Sequence, residues 1–181
     1  KVLTFNHFFL KFFLKDNIKN YSPNNLQLRK YRLHGVFNKN FERETVAFQR
    51  LLAIEKIYNK NKNDIINKKL SRSKYYSTLC NSKVALSLYG WGEICYRDWE
   101  AVISGTPMIK PDMSNIITWP DIYIPYKTYY PVDLNLNNLS EVISHSVNSP
   151  NESITMVKNA QNVHRSIRSK KKINYFCKKF L

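Results

Sequence analysis

The residues Leu88–Asp112, LYGWGEICYRDWEAVISGTPMIKPD, decide the fold of this chain of 181 residues. The stretch opens with two of the chain's four glycines, Gly90 and Gly92, and continues with charged residues at helical spacing. A Gly-Thr-Pro helix stop beginning at Gly105 follows, and a second apolar run comes after it. Another apolar run, Val84–Leu88, comes before the glycines. Two short apolar strands joined by a glycine-containing turn and a helix form the βαβ unit of a parallel sheet.

In open parallel sheets, ligands bind outside the carboxyl ends of the strands, which here means residues 89–100. We predict that Glu93, Arg97 and Glu100 share one face of the helix, because they are four and three residues apart. Glycines before a helix N-terminus let an anion approach backbone N–H groups. Arg97 could then bind a phosphate, and the carboxylate of Glu100 could accept hydrogen bonds from ribose hydroxyls. The charges alone are equally consistent with a dipole-complementing glutamate and a solvated Glu93–Arg97 pair.

The ordered motif GWGEICYRDWEA…SGTPMIKPDMS resembles the nucleotide-sugar-binding signature of GT-B glycosyltransferases, in particular exostosin-like and glycosyltransferase family 1-like members. The resemblance rests on a glycine loop, on Arg97-Asp98-Trp99-Glu100-Ala101 and on Gly105-Thr106-Pro107, and it is strong over residues 72–132. It implies that Glu100 holds the donor ribose and that Arg97 faces the diphosphate. Glu93 and Glu100 are separated by six residues rather than the seven of the broader retaining family, so the exostosin-like variant fits better.

The resemblance implies an α/β, Rossmann-like parallel sheet flanked by helices, which is one half of a GT-B fold. Such a domain binds a nucleoside-diphosphate sugar as substrate, needs no cofactor, and transfers the sugar to a glycan or lipid-linked acceptor, as in polysaccharide biosynthesis. We expect transfer without a metal, because the chain has no Asp-x-Asp pair and cations can stabilise the leaving diphosphate. No catalytic residue is named, since the base is expected on the second domain. The predicted donor-binding residues are Gly90, Gly92, Glu93, Arg97, Glu100, Lys110 and Asp112.

Several of these residues have a structural alternative. Lys110, Asp112 and the weaker candidate Ser114 lie in a Lys-Pro-Asp turn that forms without any ligand. Gly35 and Arg43 match the family's first glycine loop weakly. His34, which directly precedes Gly35, is interpreted as a structural residue.

Length and composition favour a single core domain that is part of a larger enzyme. We predict an N-terminal helical extension or linker over residues 1–30, the binding domain over 31–170 and a basic tail over 171–181. A second GT-B domain is expected to be missing or to lie on another segment. The three cysteines, Cys80, Cys95 and Cys177, show neither disulfide nor zinc spacing, which fits a reducing compartment.

The net charge of +16 raises nucleic acid as a rival partner. The excess lies in residues 1–80 and 163–181, whereas residues 81–162, which hold the motif, have more Asp and Glu than Lys and Arg. A basic nucleic-acid-binding protein is therefore the less favoured alternative, alongside a non-catalytic fragment that only binds the nucleotide sugar. The chain is expected to be cytoplasmic, or peripheral to a membrane through its basic tail or its N-terminal segment.

Periodicity predicts the remaining elements. A helical aromatic stripe runs through residues 1–20, with phenylalanines at 5, 8, 9, 12 and 13. Strands are predicted at Arg32–Phe37, Ile65–Ile66, Val84–Leu88, Met108–Lys110 and Ile122–Pro125, an aromatic loop at Tyr126–Pro131, and helices at Glu44–Tyr58, Ser71–Asn81, Leu139–Val147 and Asn151–Ser169.

Overall fold

The computed structural model describes residues 2–4, 21–38, 40–58, 65–66, 69–119 and 121–167. Within these ranges, strands alternate with helices along the chain. The strands are β1 Val2–Thr4, β2 Tyr31–His34, β3 Ile65–Ile66, β4 Ser82–Leu86, β5 Met108–Pro111, β6 Ile117–Trp119 and β7 Tyr130–Val132. The helices are α1 Glu44–Tyr58, α2 Arg72–Cys80, α3 Tyr96–Ile103, α4 Leu139–Asn148 and α5 Pro150–Ile167, with a 3-10 turn at Leu26–Leu28.

The central sheet has the strand order β3-β2-β4-β5-β7, and every neighbouring pair is parallel. Leu33 pairs with Val84, and Leu86 pairs with Ile109. The predicted parallel α/β sheet flanked by helices is therefore confirmed. The chain leaves β2 toward β3 and then crosses back to β4 on the other side of β2. The carboxyl ends of β2 and β4 thus form the point where the strand order reverses, which is where ligands bind in sheets of this kind.

Two apolar cores lie on the two faces of this sheet, because side chains alternate along each strand. Leu33, Val84, Leu86 and Ile109 pack with α1 and α4 on one face. On the other face, the core surrounds Trp99 of α3 and includes Ala85 and Met108.

Helix α3 ends where the Gly-Thr-Pro stop was predicted. Gly105 has a φ of 65°, a left-handed conformation that glycine adopts without strain, and Gly105 N donates to Val102 O over 3.2 Å. A Cβ on Gly105 would lie 2.6 Å from Tyr21 O. The guanidinium of Arg29 then ties this turn to the sheet by donating to Gly105 O over 2.8 Å and to Ser82 O over 2.9 Å. Glycine is therefore needed both for the turn and for the chain that packs on it.

Most predicted elements are confirmed within one or two residues. The helix at Glu44–Tyr58 and the short strand at Ile65–Ile66 have the predicted bounds. The predicted serine cap is also present, since the Ser71 side chain accepts from Lys74 N over 3.4 Å.

The strand predicted at Ile122–Pro125 is wrong. The Thr128 hydroxyl donates to Ile122 O over 2.6 Å and accepts from Ile124 N over 2.8 Å, so a local turn uses the backbone groups that a strand would pair. The edge strand of the sheet is instead β7, which begins inside the predicted aromatic loop. An additional strand, β6, lies in the segment expected to be a loop, where it pairs with β1.

Most of the segment predicted as an N-terminal helical extension or linker, residues 1–30, lies outside the described residues. Val2–Thr4 form a strand rather than the start of a helix. The aromatic stripe at positions 5–13 and the basic tail at 171–181 lie outside the described residues. In the part of the chain that the structure describes, no helix has the length and hydropathy required to cross a membrane.

Candidate functional site

The glycine loop after β4 forms a tight turn, in which Gly90 N donates to Gly92 O over 3.1 Å. Neither glycine has a positive φ. A Cβ on Gly90 would meet Cys95 Sγ at 3.4 Å and Arg50 Nη2 at 3.9 Å, whereas a Cβ on Gly92 would meet no atom within 4 Å. Gly92 therefore borders open space at the carboxyl end of the sheet, where the sequence predicts a ligand.

Helix α3 begins later than its charge pattern suggests, because Cys95 is its N-cap. Cys95 N donates to Asp98 Oδ2 over 2.8 Å, and Cys95 Sγ lies 3.4 Å from Leu88 O. Glu93 consequently lies in the bend before the helix. The prediction that Glu93 shares a helix face with Arg97 and Glu100 is therefore wrong, whereas the latter two do lie one turn apart on α3.

Asp98 is fully buried and holds the start of α3 against the sheet. It accepts a hydrogen bond from Tyr123 over 2.6 Å and another from the Ser87 hydroxyl. It also forms an ion pair with Lys110, whose Nζ lies 3.2 Å from the carboxylate and is itself fully buried. Lys110 was predicted to bind the donor, and in the structure its charge is paired with Asp98 at the start of α3.

Arg97 contributes an unpaired cation at the strand-order reversal. Its guanidinium makes no hydrogen bond or ion pair with the residues that the structure describes, and its Nε atom is buried without a partner. A buried donor of this kind is rare in native proteins unless water, an ion or a ligand satisfies it.

Arg50, on α1, is a second cation beside Arg97, and only 4% of its surface is exposed. Its two terminal nitrogens donate to Asn38 O over 2.8 Å and to Tyr89 O over 3.0 Å, while its Nε atom has no partner. Burial lowers the pKa of Arg50, and the nearby charge of Arg97 lowers it further. Within the described part of the chain, no carboxylate lies at ion-pair distance from either arginine. The two guanidinium groups therefore repel each other and would both be stabilised by an anion.

Arg43 and two aromatic side chains form the outer rim of this cationic region. Arg43 donates to Trp91 O over 2.7 Å and stacks on the Trp91 ring at 5.4 Å, and Phe41 lies 5.3 Å from the same ring. Trp91 is exposed. Arg43, which matches the family's first loop only weakly, therefore lies next to the glycine loop.

Glu100 is held by two tyrosines of α2. Tyr75 donates to one carboxylate oxygen over 2.8 Å, and Tyr76 donates to the other over 3.0 Å. Burial and the Glu100 charge raise the pKa of Tyr75 well above its usual range and that of Tyr76 to about 12. Each carboxylate oxygen can accept a further hydrogen bond, so Glu100 remains able to bind ribose hydroxyls.

His34 ends β2 at the same point, and its side chain is fully buried. Its ring packs edge-on against Tyr75 with centroids 4.8 Å apart, and in the described part of the structure neither ring nitrogen makes a hydrogen bond of good geometry. Burial is the largest cause and the charge of Arg97 the second in lowering the pKa of His34 to about 4. A weaker influence from the Tyr75 backbone acts in the opposite direction.

Asp112 and Glu93 lie nearer the outer edge of the site. Asp112 accepts from the Ser114 hydroxyl over 2.7 Å and from the Tyr129 hydroxyl over 3.1 Å. The bond from Ser114 belongs to the local turn that the sequence offered as the alternative to ligand binding. Burial, followed by the Glu93 charge and then the Asp112 charge, raises the pKa of Tyr89 to about 12, which places both carboxylates around that ring.

Four contributors were not among the predicted site residues. The burial of Arg50 could have been predicted from helical spacing. The buried residues Val46, Ala53 and Ile57 lie four, three and seven positions away, so all four share one face of α1. Tyr75 and Tyr76 lie on α2, outside the Leu88–Asp112 motif. Asp98 lies in the recognised motif, but its burial depends on the tertiary contacts of α3.

Comparison with known proteins supports the fold. No protein-family model matches this sequence, and no curated protein does either. The structure is similar to the crystal structure of TarM, a GT-B glycosyltransferase, with a TM-score of 0.62 and 17% sequence identity. The match covers 90% of this chain and 37% of TarM. At this identity the likeness shows the fold, which is one Rossmann-like half of the GT-B architecture.

Proposed function

We propose that this chain is the donor-binding domain of a glycosyltransferase and that it binds a nucleoside-diphosphate sugar where the strand order reverses. The observation that carries the proposal is the pair of guanidinium groups, Arg50 and Arg97, which have no carboxylate partner among the described residues. Arg50 is buried, and Arg97 is half-buried with its Nε atom buried. Cations withdrawn from water in this way are ordinarily paired, because an uncompensated charge there is costly. A diphosphate would supply the missing negative charge.

Each part of the donor has a complementary group. Arg97 and Arg50 would bind the diphosphate, and the open side of Gly92 would admit it close to the backbone. Glu100, oriented by its two tyrosines, would accept hydrogen bonds from the ribose. The sugar would then point away from the sheet, toward an acceptor held by another domain.

The chemistry assigned to this domain is stabilisation of the leaving group. As the bond between the sugar and the diphosphate breaks, negative charge accumulates on the phosphate oxygens. Preorganised guanidinium groups stabilise that charge without reorganising, so transfer would need no metal. The base and the glycan or lipid-linked acceptor site would belong to the second domain, and this chain spans only 37% of the length of TarM.

Titration calorimetry against UDP, GDP, ADP and CDP tests the proposal. We expect one nucleotide to bind, Arg97→Ala to weaken binding at least tenfold, and Glu100→Gln to weaken it comparably, because each removes a hydrogen bond to a charged group. Arg165→Ala and Glu141→Gln make the same charge changes on exposed parts of α5 and α4, and they should leave the affinity unchanged.

The alternatives give different results. A domain that only binds the donor would show these affinities but no sugar transfer when the complete enzyme is assayed with acceptor. A nucleic-acid-binding protein would bind a random oligonucleotide with steep salt dependence, and Arg165→Ala would weaken it as much as Arg97→Ala. If none of the four nucleotides binds, the donor-site proposal fails.

A further inference from the structure

We propose that His34 is a further ligand-binding residue, and that its neutral imidazole donates a hydrogen bond to a phosphate oxygen of the ligand that Arg97 binds. The inference rests on the proposed function, because it assigns an additional contact to the same diphosphate.

Its first support is the position of the ring. His34 is the last residue of β2, beside Ala85 of β4, so it lies at the reversal of strand order and not merely in the core. The side chain is fully buried, and neither Nδ1 nor Nε2 makes a hydrogen bond of good geometry among the described residues, the Tyr75 backbone contributing only a weak interaction. Leaving such a donor unsatisfied is costly, so a purely structural histidine at this position would be expected to have a well-formed partner.

The groups around the ring determine its protonation state. Arg97 faces it from α3, and Tyr75 faces it from α2 with Glu100 behind the tyrosine hydroxyl. Arg50, on α1, adds a second positive charge close to Arg97. With a pKa of about 4, the imidazole is neutral at pH 7 and carries one N–H donor and one acceptor nitrogen. It therefore adds a hydrogen-bond donor beside Arg97 without adding a third positive charge.

Ligand binding should in turn change the ring. A phosphate between His34 and Arg97 would offset the arginine charge and would accept the imidazole N–H. Both effects favour the protonated ring, so the pKa of His34 should rise when the anion is bound. A histidine that served only to fill space would not show this response.

The experiment combines calorimetry with NMR of the chain labelled with ¹⁵N-histidine, using pyrophosphate and the four nucleoside diphosphates as probes. Three variants are compared, His34→Leu, His34→Gln and the control His164→Leu. His164 is equally buried, and its ring packs on Trp99 at 5.4 Å rather than on Tyr75. The His34→Gln spectrum also assigns the His34 resonances among the four histidines.

We expect His34→Leu to weaken binding about tenfold, as loss of one hydrogen bond to a charged group should. His34→Gln, which retains an N–H donor, should stay within about threefold of wild type, and His164→Leu should bind like wild type. The ring nitrogen shifts of His34 should change on saturation, and its pKa should rise from about 4.

The inference is overturned if His34→Leu binds as tightly as wild type, or if saturating ligand leaves the His34 ring resonances and pKa unchanged. In either case a tenfold loss in Arg97→Ala would leave the proposed function standing. If His34→Leu fails to fold, the NMR titration of the wild-type chain decides. If the wild-type chain binds none of the probes, both proposals fail.

Discussion

The buried pair of Asp98 and Lys110 makes a quantitative prediction about stability. The change is Lys110→Met, which keeps the length and apolar stem of the side chain and removes its charge. Asp98 would keep its hydrogen bonds from Ser87, Tyr123 and the Cys95 N–H, but it would lose the ammonium group 3.2 Å away. Both partners are fully buried, so water cannot replace the missing cation.

The expected loss follows from that burial. Removing one partner of a buried ion pair typically costs about 3–5 kcal/mol, because the other charge stays buried and uncompensated. Because Asp98 keeps three hydrogen bonds, we expect Lys110→Met to lower the free energy of unfolding by about 3 kcal/mol, the lower end of this range. Asp98→Asn should cost more, about 4–5 kcal/mol, because the buried Lys110 ammonium would lose its counter-charge and keep only a neutral amide oxygen and the faces of Tyr89 and Tyr123, at 5.3 and 5.6 Å. The double variant should lose at least about 2 kcal/mol less than the sum of the two single losses.

Urea unfolding at pH 7, followed by tryptophan fluorescence and far-UV circular dichroism, measures these free energies. Glu152→Gln serves as the control, because the His145–Glu152 pair has the same type of contact, at 3.0 Å, but is about half exposed. Its loss should stay below about 0.5 kcal/mol. Strict additivity of Asp98→Asn and Lys110→Met, or a loss below about 1 kcal/mol for Lys110→Met, would refute the argument that the two charges stabilise each other.

Three further predictions concern His34, Gly105 and Tyr75. The folded state of wild type takes up a proton on His34 only near pH 4, whereas the unfolded chain does so near pH 6.5, so His34 should remove about 2 kcal/mol of stability between pH 7.5 and pH 5. In His34→Gln, the urea midpoint should therefore fall less than in wild type between pH 7.5 and pH 5. Gly105→Ala should lower the unfolding free energy by about 1–3 kcal/mol, since the φ of 65° is strained for alanine and its Cβ would lie 2.6 Å from Tyr21 O. Tyr75→Phe removes the 2.8 Å hydrogen bond to Glu100 and should cost about 1.5–3 kcal/mol of stability, measured in the same way.

Each of these has a contrary outcome. An identical pH dependence in wild type and His34→Gln would show that the folded ring titrates normally. Gly92→Ala is the control for Gly105→Ala, because it has open space and no positive φ, so equal losses in the two would contradict the steric argument. A Tyr75→Phe variant as stable as wild type would show that the hydroxyl contributes nothing to holding Glu100.

The sequence by itself determined the local elements and the edge of the sheet at which a ligand site is expected. Apolar periodicity, the glycine loop and the helix stop at Gly105 depend on neighbours in the chain, and a parallel sheet puts its ligand at the carboxyl ends of its strands. This reasoning failed at Ile122–Pro125, where hydrogen bonds from Thr128 form a turn in an apolar run too short to identify a strand.

Only the tertiary structure decided which charges are available to a ligand. Lys110 and Arg97 are both basic residues of one motif, yet the first is neutralised by Asp98 and the second is left without a partner among the described residues. Arg50 and His34 reach the same point from other elements, because the order of the parallel strands places β2 beside β4 and α1 beside the glycine loop. Spacing along one helix cannot predict such contacts, since they depend on how separate elements pack around a shared sheet.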